Sequence, residues 1–266
     1  MPLIEVNGIR LHHTDTGHGD PVLLLMGTGS RGSVWDLHQV PALVAAGYRT
    51  ITVDNRGIPP SDECASGFTV HDMVADTAAL IEALDLGPCR VVGTSMGAYI
   101  TAELALARPE LVRQAVLLAA RGRSDLLRTA LATAERDLRA SGVTLPPSYR
   151  AVMQAIQFLS RTTLSDDVAA RDWLDLLEFA PKDGPGTLAQ QALEPMPNRL
   201  AAYRDIRVPV RVISFADDLV TPPHLGAELA EAIPGADHLE ITGCGHYGYL
   251  EDPDSVNKAL LDFFTC

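Results

Sequence analysis

The chain is poor in cysteine, in basic residues and in aromatic rings, and it contains no long apolar run. Its four cysteines (Cys64, Cys89, Cys244 and Cys266) lie scattered through 266 residues with no C-x-x-C pair. That spacing argues against a disulfide framework or a thiolate metal site and predicts reduced thiols with no structural metal. Lysine and arginine number 21 against 34 aspartates and glutamates, a formal net charge of −13. An acidic surface repels phosphate backbones, so nucleic acid is excluded as the expected partner. No apolar run approaches the roughly 18–20 residues of a membrane helix, and no membrane partner is expected. The start, Met1-Pro2-Leu3-Ile4-Glu5-Val6-Asn7-Gly8, lacks the basic and apolar regions of a signal peptide, so a cytoplasmic protein is the expectation. Internal repeats and low-complexity tracts are also missing.

What is present is a large apolar fraction, 47%, enough for one substantial core. Leu3–Val6 and Ile9–Asp15 flank Asn7-Gly8, a hairpin signal. Continuous apolar runs at Pro21–Met26, Arg49–Val53, Arg90–Thr94 and Gln114–Ala120 read as strands buried on both faces. Helical patterns at Val34–Ala46, Val70–Leu84 and Ala98–Arg108 alternate with them, which points to βαβ units and a parallel sheet. From about Gly122 to Arg204 no strand is convincing. Helical stretches Leu126–Ser141, Ser148–Arg161 and Asp166–Phe179 are separated there by Pro/Gly-rich loops, one of them at 181–186. The alternation resumes with Val208–Phe215, Pro222–Ile233, His238–Thr242 and Pro253–Phe264. This order predicts an α/β fold: a mostly parallel central sheet of about eight strands flanked by helices, with an inserted helical cap. The core domain is assigned to residues 1–121 and 205–266, and the cap to 122–204.

One stretch organises the rest. The strand ending at Thr94 runs into Gly93-Thr94-Ser95-Met96-Gly97 and then at once into a helix, the context a nucleophile elbow needs. A serine on so sharp a turn sits in a strained backbone conformation, and its flanks approach closely, so a Cβ at Gly93 or Gly97 would collide with the neighbouring chain. A serine hydroxyl is a weak nucleophile near neutral pH and needs a base, itself oriented by an acceptor. After the strand at 210–215 come Asp217 and Asp218. After the strand at 238–242 come Gly243-Cys244-Gly245-His246. The other histidines (His12, His13, His18, His38, His71, His224 and His238) have no such company and read as surface or turn residues.

With these motifs in place, the chain resembles the α/β-hydrolase fold superfamily over essentially its whole length. The resemblance rests on Gly93–Gly97, on Asp218 four residues before Pro222, and on Gly243–His246 followed by Glu251-Asp252-Pro253. It implies a Ser95–His246–Asp218 catalytic set, and the spacing to Pro222 favours Asp218 over Asp217. The expected oxyanion donors are the amides of Met96 and Thr28. The family usually has His-Gly in the second loop, where this chain has Met26-Gly27. Asp54 and Arg56 are read as structural, tying together the turn that follows the strand at 49–53. Gly27, Trp173, Phe158 and Phe179 are candidate substrate contacts.

The expected activity is hydrolysis of a carboxylic ester or thioester of small-molecule or natural-product metabolism, with no cofactor. Relatives that cleave haloalkanes or epoxides place an aspartate where Ser95 stands, which disfavours those reactions. The same pocket leaves open a cofactor-free haloperoxidase or perhydrolase, a C–C bond hydrolase, a lyase or a cyclase. A ligand-binding receptor on the same fold is the non-enzymatic alternative. The expected partner is a small-molecule substrate, and a homo-oligomer is left open.

Overall fold

The computed structural model describes residues 3–180 and 183–265. Met1, Pro2, the Cys266 thiol, and residues 181 and 182 of the loop expected at 181–186 lie outside the described residues. The hairpin at Asn7-Gly8 forms: β1 (Leu3–Val6) and β2 (Ile9–Thr16) pair antiparallel with Val6 opposite Ile9. Both turn residues take positive φ, 47° at Asn7 and 76° at Gly8, which these two residue types tolerate best. The apolar runs become β3 (Pro21–Leu25), β4 (Arg49–Asp54), β5 (Cys89–Thr94) and β6 (Val112–Leu118). Later in the chain come β7 (Val210–Phe215) and β8 (Asp237–Ile241).

These strands make one eight-stranded sheet in the order β1-β2-β4-β3-β5-β6-β7-β8. β1, β2 and β4 pair antiparallel, and every pairing from β4 onward is parallel. Side chains alternate between the faces of a strand, so β3 divides its residues between two cores. Leu23 and Leu25 join the cluster that holds Val91, Ile100, Leu117 and Tyr203. Val22 and Leu24 join Trp35, Val92, Val116, Phe215 and Leu260 on the opposite face.

The helices before the elbow are α1 (Gln39–Ala45) and α2 (Val70–Ala83), and α3 (Met96–Ala107) leaves it. The single helix expected over Val34–Ala46 is broken at His38 (φ −142°, ψ −49°) into a 3-10 turn at Gly32–Leu37 and α1. Pro41 explains the break: it has no N–H to give Leu37, and its ring would meet that carbonyl in a continuous helix. α2 starts as its sequence predicts, with Thr69 accepting from Asp72 N and Asp72 reaching back to Thr69 N, a reciprocal cap.

Between β6 and β7 the described residues form helices and no strand: α4 (Leu126–Ala140), α5 (Pro147–Phe158), α6 (Arg161–Ser165), α7 (Asp167–Phe179), α8 (Pro185–Gln191) and α9 (Leu200–Tyr203). The short α6, α8 and α9 do not extend far enough to show a helical period in sequence. The fold closes with α10 (Pro223–Ala232), α11 (Gly248–Glu251) and α12 (Pro253–Phe264). Among the described residues no helix is long and apolar enough to cross a membrane. Cys64, Cys89 and Cys244 are unpaired, and the described residues contain no cluster of His, Cys, Asp and Glu fit to hold a metal.

Two of the histidines read as surface residues are not. His13 is buried on β2, and His12 pairs through Nδ1 with Asp54 Oδ2 at 2.7 Å. β2 lies between β1 and β4, and its register with β4 sets His12 opposite Asp54. The turn after β4 is tied as expected: Asp54 Oδ1 accepts Gly32 N at 2.7 Å, and Arg56 donates twice to Asp76 at 2.6 and 2.7 Å.

Candidate active site

At the end of β5 the backbone of Ser95 takes φ 54° and ψ −114°, a conformation a non-glycine residue adopts only under constraint. The glycines show the constraint. A Cβ on Gly93 would lie 2.2 Å from Gly97 O and 2.5 Å from Thr101 Oγ1, and one on Gly97 would lie 2.2 Å from Leu25 O. Ser95 N is pinned to Leu118 O of β6 at 3.0 Å. The residue is half-buried, and no described side chain hydrogen-bonds to its hydroxyl. Directly behind it begins α3, whose first amides have no partner within the helix and carry partial positive charge.

The loop after β3 runs beside this elbow. A Cβ on Gly27 would come 3.2 Å from Ser95 Cβ and 3.7 Å from Ser95 Oγ. Thr28 and Met96, the two residues expected to supply amides, are neighbours: Thr28 Oγ1 lies 3.6 Å from Met96 Sδ. The methionine that replaces the usual histidine does not leave the loop unsupported. Met26 is buried in the core, its carbonyl accepts Asn55 Nδ2 at 3.0 Å, and Gly29 N donates to Gln190 Oε1 at 2.8 Å.

The loop after β7 separates its two aspartates. Asp218 is buried. Its Oδ1 accepts the amides of Val220 (2.7 Å) and Thr221 (2.8 Å), and its Oδ2 accepts Thr221 Oγ1 (2.6 Å) and faces His246 Nδ1 at 2.7 Å. Burial alone would push this carboxyl up. The adjacent His246 imidazole and the Thr221 hydroxyl and amide outweigh burial and hold it below the usual carboxylate range. Asp217 points elsewhere and accepts Arg161 N at 3.1 Å. Thr221 was not anticipated; a hydroxyl three residues after a turn aspartate is the signal that could have marked it.

His246 lies in the turn after β8. Gly245 lets that turn meet the helical segment: a Cβ there would be 2.6 Å from Leu159 C and 2.7 Å from Phe158 O. Tyr247 N donates to Phe158 O at 3.0 Å. Glu251 gathers the same junction, accepting Gly245 N (2.6 Å), Ser160 N (2.9 Å) and Thr163 Oγ1 (2.6 Å). Phe158 sits 5.6 Å, ring centre to ring centre, from His246 and 4.9 Å from Tyr247, and Trp173 stacks on Tyr247 at 6.0 Å. Phe179 does not join them. It is 85% exposed at the end of α7, because six residues after Trp173 a helix has turned by roughly 240° and presents another face.

β5, β7 and β8 are parallel, so Ser95 and the Asp218–His246 pair stand at one edge of the sheet, the carboxyl ends of its strands. Such an edge is where open α/β sheets place their ligands.

Comparison with known proteins gives a consistent picture. A family model described as Alpha/beta hydrolase family matches residues 18–259. A Mycobacterium tuberculosis protein named "Putative non-heme bromoperoxidase BpoC" is 52% identical over 258 residues, 97% of this chain and 98% of that protein. The solved structure of Rv0554 from Mycobacterium tuberculosis superposes with a TM-score of 0.93 at 53% identity, covering 97% of this chain and 94% of the other. A protein of Azorhizobium caulinodans named "Putative carbamate hydrolase RutD" is 29% identical over 273 residues, 99% of this chain and 98% of that one.

Proposed function

The chain belongs to the alpha/beta hydrolase family, and from that premise we propose that it is a serine hydrolase acting on a carboxylic ester or thioester of a small molecule. The observation that supports this reading is the 2.7 Å pair between His246 Nδ1 and buried Asp218, set at the same sheet edge as the strained Ser95. In the proposed reaction Asp218 fixes the imidazole with its proton on Nδ1, which leaves Nε2 free to take the Ser95 proton. Ser95 Oγ attacks the carbonyl carbon, and the amides of Met96 and Thr28 stabilise the oxyanion. His246 then gives the proton to the departing alcohol or thiol, and water, activated by the same nitrogen, hydrolyses the acyl-enzyme. The helices between β6 and β7 act as a cap over this edge, with Phe158 and Trp173 on its inner side.

The test is labelling by a fluorophosphonate, read by intact mass, together with turnover of p-nitrophenyl acetate. A single adduct and measurable turnover, both lost in Ser95→Ala, are expected. A folded wild-type protein that neither labels nor turns over would sink the reading and favour a receptor.

The name of the 52%-identical relative supports a second reading, with hydrogen peroxide in place of water. The acyl-enzyme would then release a peracid, and the peracid would oxidise bromide. Peroxide-dependent bromination of a dye, requiring a carboxylic acid and abolished in Ser95→Ala, separates the two.

A further inference from the structure

Arg121 stands where β6 leaves the sheet, between the elbow and the acid loop. Ser95 N pairs with Leu118 O of β6, and Ala119 N pairs with Ile213 O of β7. Residue 121 therefore emerges at the same carboxyl edge, with Ser95 on one flank and Asp218 on the other. Its guanidinium makes a single hydrogen bond among the described residues, Nη1 to Val220 O at 3.4 Å, and its Nε is buried without a partner. Arg128, in the first turn of α4, lies close enough to act on it electrostatically. The Arg128 Nε is likewise buried without a partner, and the nearest carboxylate to its guanidinium is Glu135 at 4.0 Å.

The carboxylates near the pair are already engaged. Asp218 serves His246, Thr221 and the Val220 amide. Asp125 caps α4 through Arg128 N at 2.8 Å and lies 3.7 Å from His224. Other inward-facing arginines are matched: Arg56 by Asp76, Arg90 by Asp20 and Arg199 by Glu103. Burial and the neighbouring Arg128 push the Arg121 guanidinium down to about 10, still protonated near neutral pH. Asp218 and Asp125 act on the Arg121 charge only from a distance, neither hydrogen-bonding it; a cation so weakly paired away from water is costly, and a guanidinium matches the planar, bidentate geometry of a carboxylate.

We propose that Arg121 and Arg128 form an anion subsite beside Ser95 and that the substrate is an ester or thioester bearing a carboxylate. The bond cleaved rests on the serine-hydrolase reading above; the anion subsite does not. In a chain of net charge −13, this local pair supplies the attraction that the overall field denies an anionic substrate.

The experiment compares p-nitrophenyl hexanoate with mono-p-nitrophenyl adipate, matched in length and leaving group and differing in a terminal carboxylate. Wild type should prefer the adipate in kcat/KM. In Arg121→Gln the adipate-to-hexanoate ratio should fall by about 10- to 100-fold, the loss expected for one charge-assisted contact. Arg128→Gln should shift the ratio the same way, and Arg121→Lys should restore part of it. A ratio unmoved by both glutamine variants, or a wild type that prefers hexanoate, overturns the subsite and leaves the hydrolase reading standing. Arg128→Gln also serves if Arg121→Gln fails to fold.

Calorimetric titration of glutarate into Ser95→Ala separates the two ideas in the other direction. Glutarate binding that is lost on adding Arg121→Gln, in a wild type that turns over neither ester, keeps the subsite and overturns the hydrolase. Absence of glutarate binding overturns the subsite.

Discussion

Replacing Asp218 by asparagine is the sharpest test of how the site is wired, because its neighbours decide which way the new amide faces. Two backbone amides, Val220 N at 2.7 Å and Thr221 N at 2.8 Å, donate to Oδ1. Asparagine must therefore keep its carbonyl oxygen there. Its NH₂ then occupies the Oδ2 position, 2.7 Å from His246 Nδ1, and donates to that nitrogen. The imidazole is driven to the tautomer with its proton on Nε2, which cannot accept the proton of Ser95. The fold survives the change, since the two amide contacts and the shape are retained. A wrong-tautomer base has been seen to lower kcat by about 10⁴ in a serine protease. A loss of about 10³ to 10⁴ is expected here, roughly 4–5.5 kcal/mol of transition-state stabilisation. The assay is p-nitrophenyl acetate turnover and the rate of fluorophosphonate labelling, with thermal melting alongside. Asp217→Asn is the matched control: its carboxylate holds only Arg161 N, and activity should stay within about threefold, as for a single exposed contact. Asp218→Asn retaining more than a tenth of wild-type activity, or Asp217→Asn losing as much, would refute the assignment.

Three further outcomes follow from the geometry. Gly97→Ala places a methyl 2.2 Å from Leu25 O, so β3 and α3 must part; a loss of about 1–3 kcal/mol by denaturant titration is expected, with labelling of Ser95 falling alongside. Thr69→Ala removes the reciprocal cap of α2 and should cost about 1 kcal/mol, or about 2–4 °C in Tm, without touching activity. Stability should fall with pH in two stages: burial holds His13 below the ordinary imidazole value, so protonating the unfolded chain below about pH 6.5 destabilises the native state, and the low-shifted Asp218 adds a second loss as the pH falls below about 3.9. Denaturation midpoints from pH 8 to pH 3 check this, and a midpoint that rises between pH 7 and pH 5.5 would contradict it.

The parts of the site that sequence made legible are those in which local geometry permits few residue types. Gly93 and Gly97 are read from the chain because backbone atoms 2.2 Å from their absent Cβ positions allow nothing larger. Strand and helix alternation was legible for the same kind of reason: Val22–Leu25 of β3, Val91 and Val92 of β5 and Ala115–Leu118 of β6 are buried on both faces, where Val, Leu and Ala fit. What could not be read depends on residues far along the chain. His12 looks like a surface histidine until Asp54, 42 residues on, comes within 2.7 Å of it. The environment of Arg121 comes from Val220 and Arg128, and nothing in the dipeptide Ala120-Arg121 announces it. The contrast between Trp173, stacked on Tyr247, and the exposed Phe179 likewise needed the helix to be placed before its faces could be told apart.

The helical segment is tied at both ends to the loops around Ser95 and His246. At one end Gln190, itself buried, donates to Arg56 O at 2.7 Å and accepts Gly29 N from the loop beside Ser95. At the other, Glu251 binds the amides of Gly245, next to His246, and of Ser160, at the start of α6. Both ties run to main-chain amides or carbonyls, so side chains lining the helices can change without releasing them. The loops they reach are the same ones that position the expected oxyanion donors and His246. A rearrangement of these helices large enough to break either tie must therefore disturb those loops.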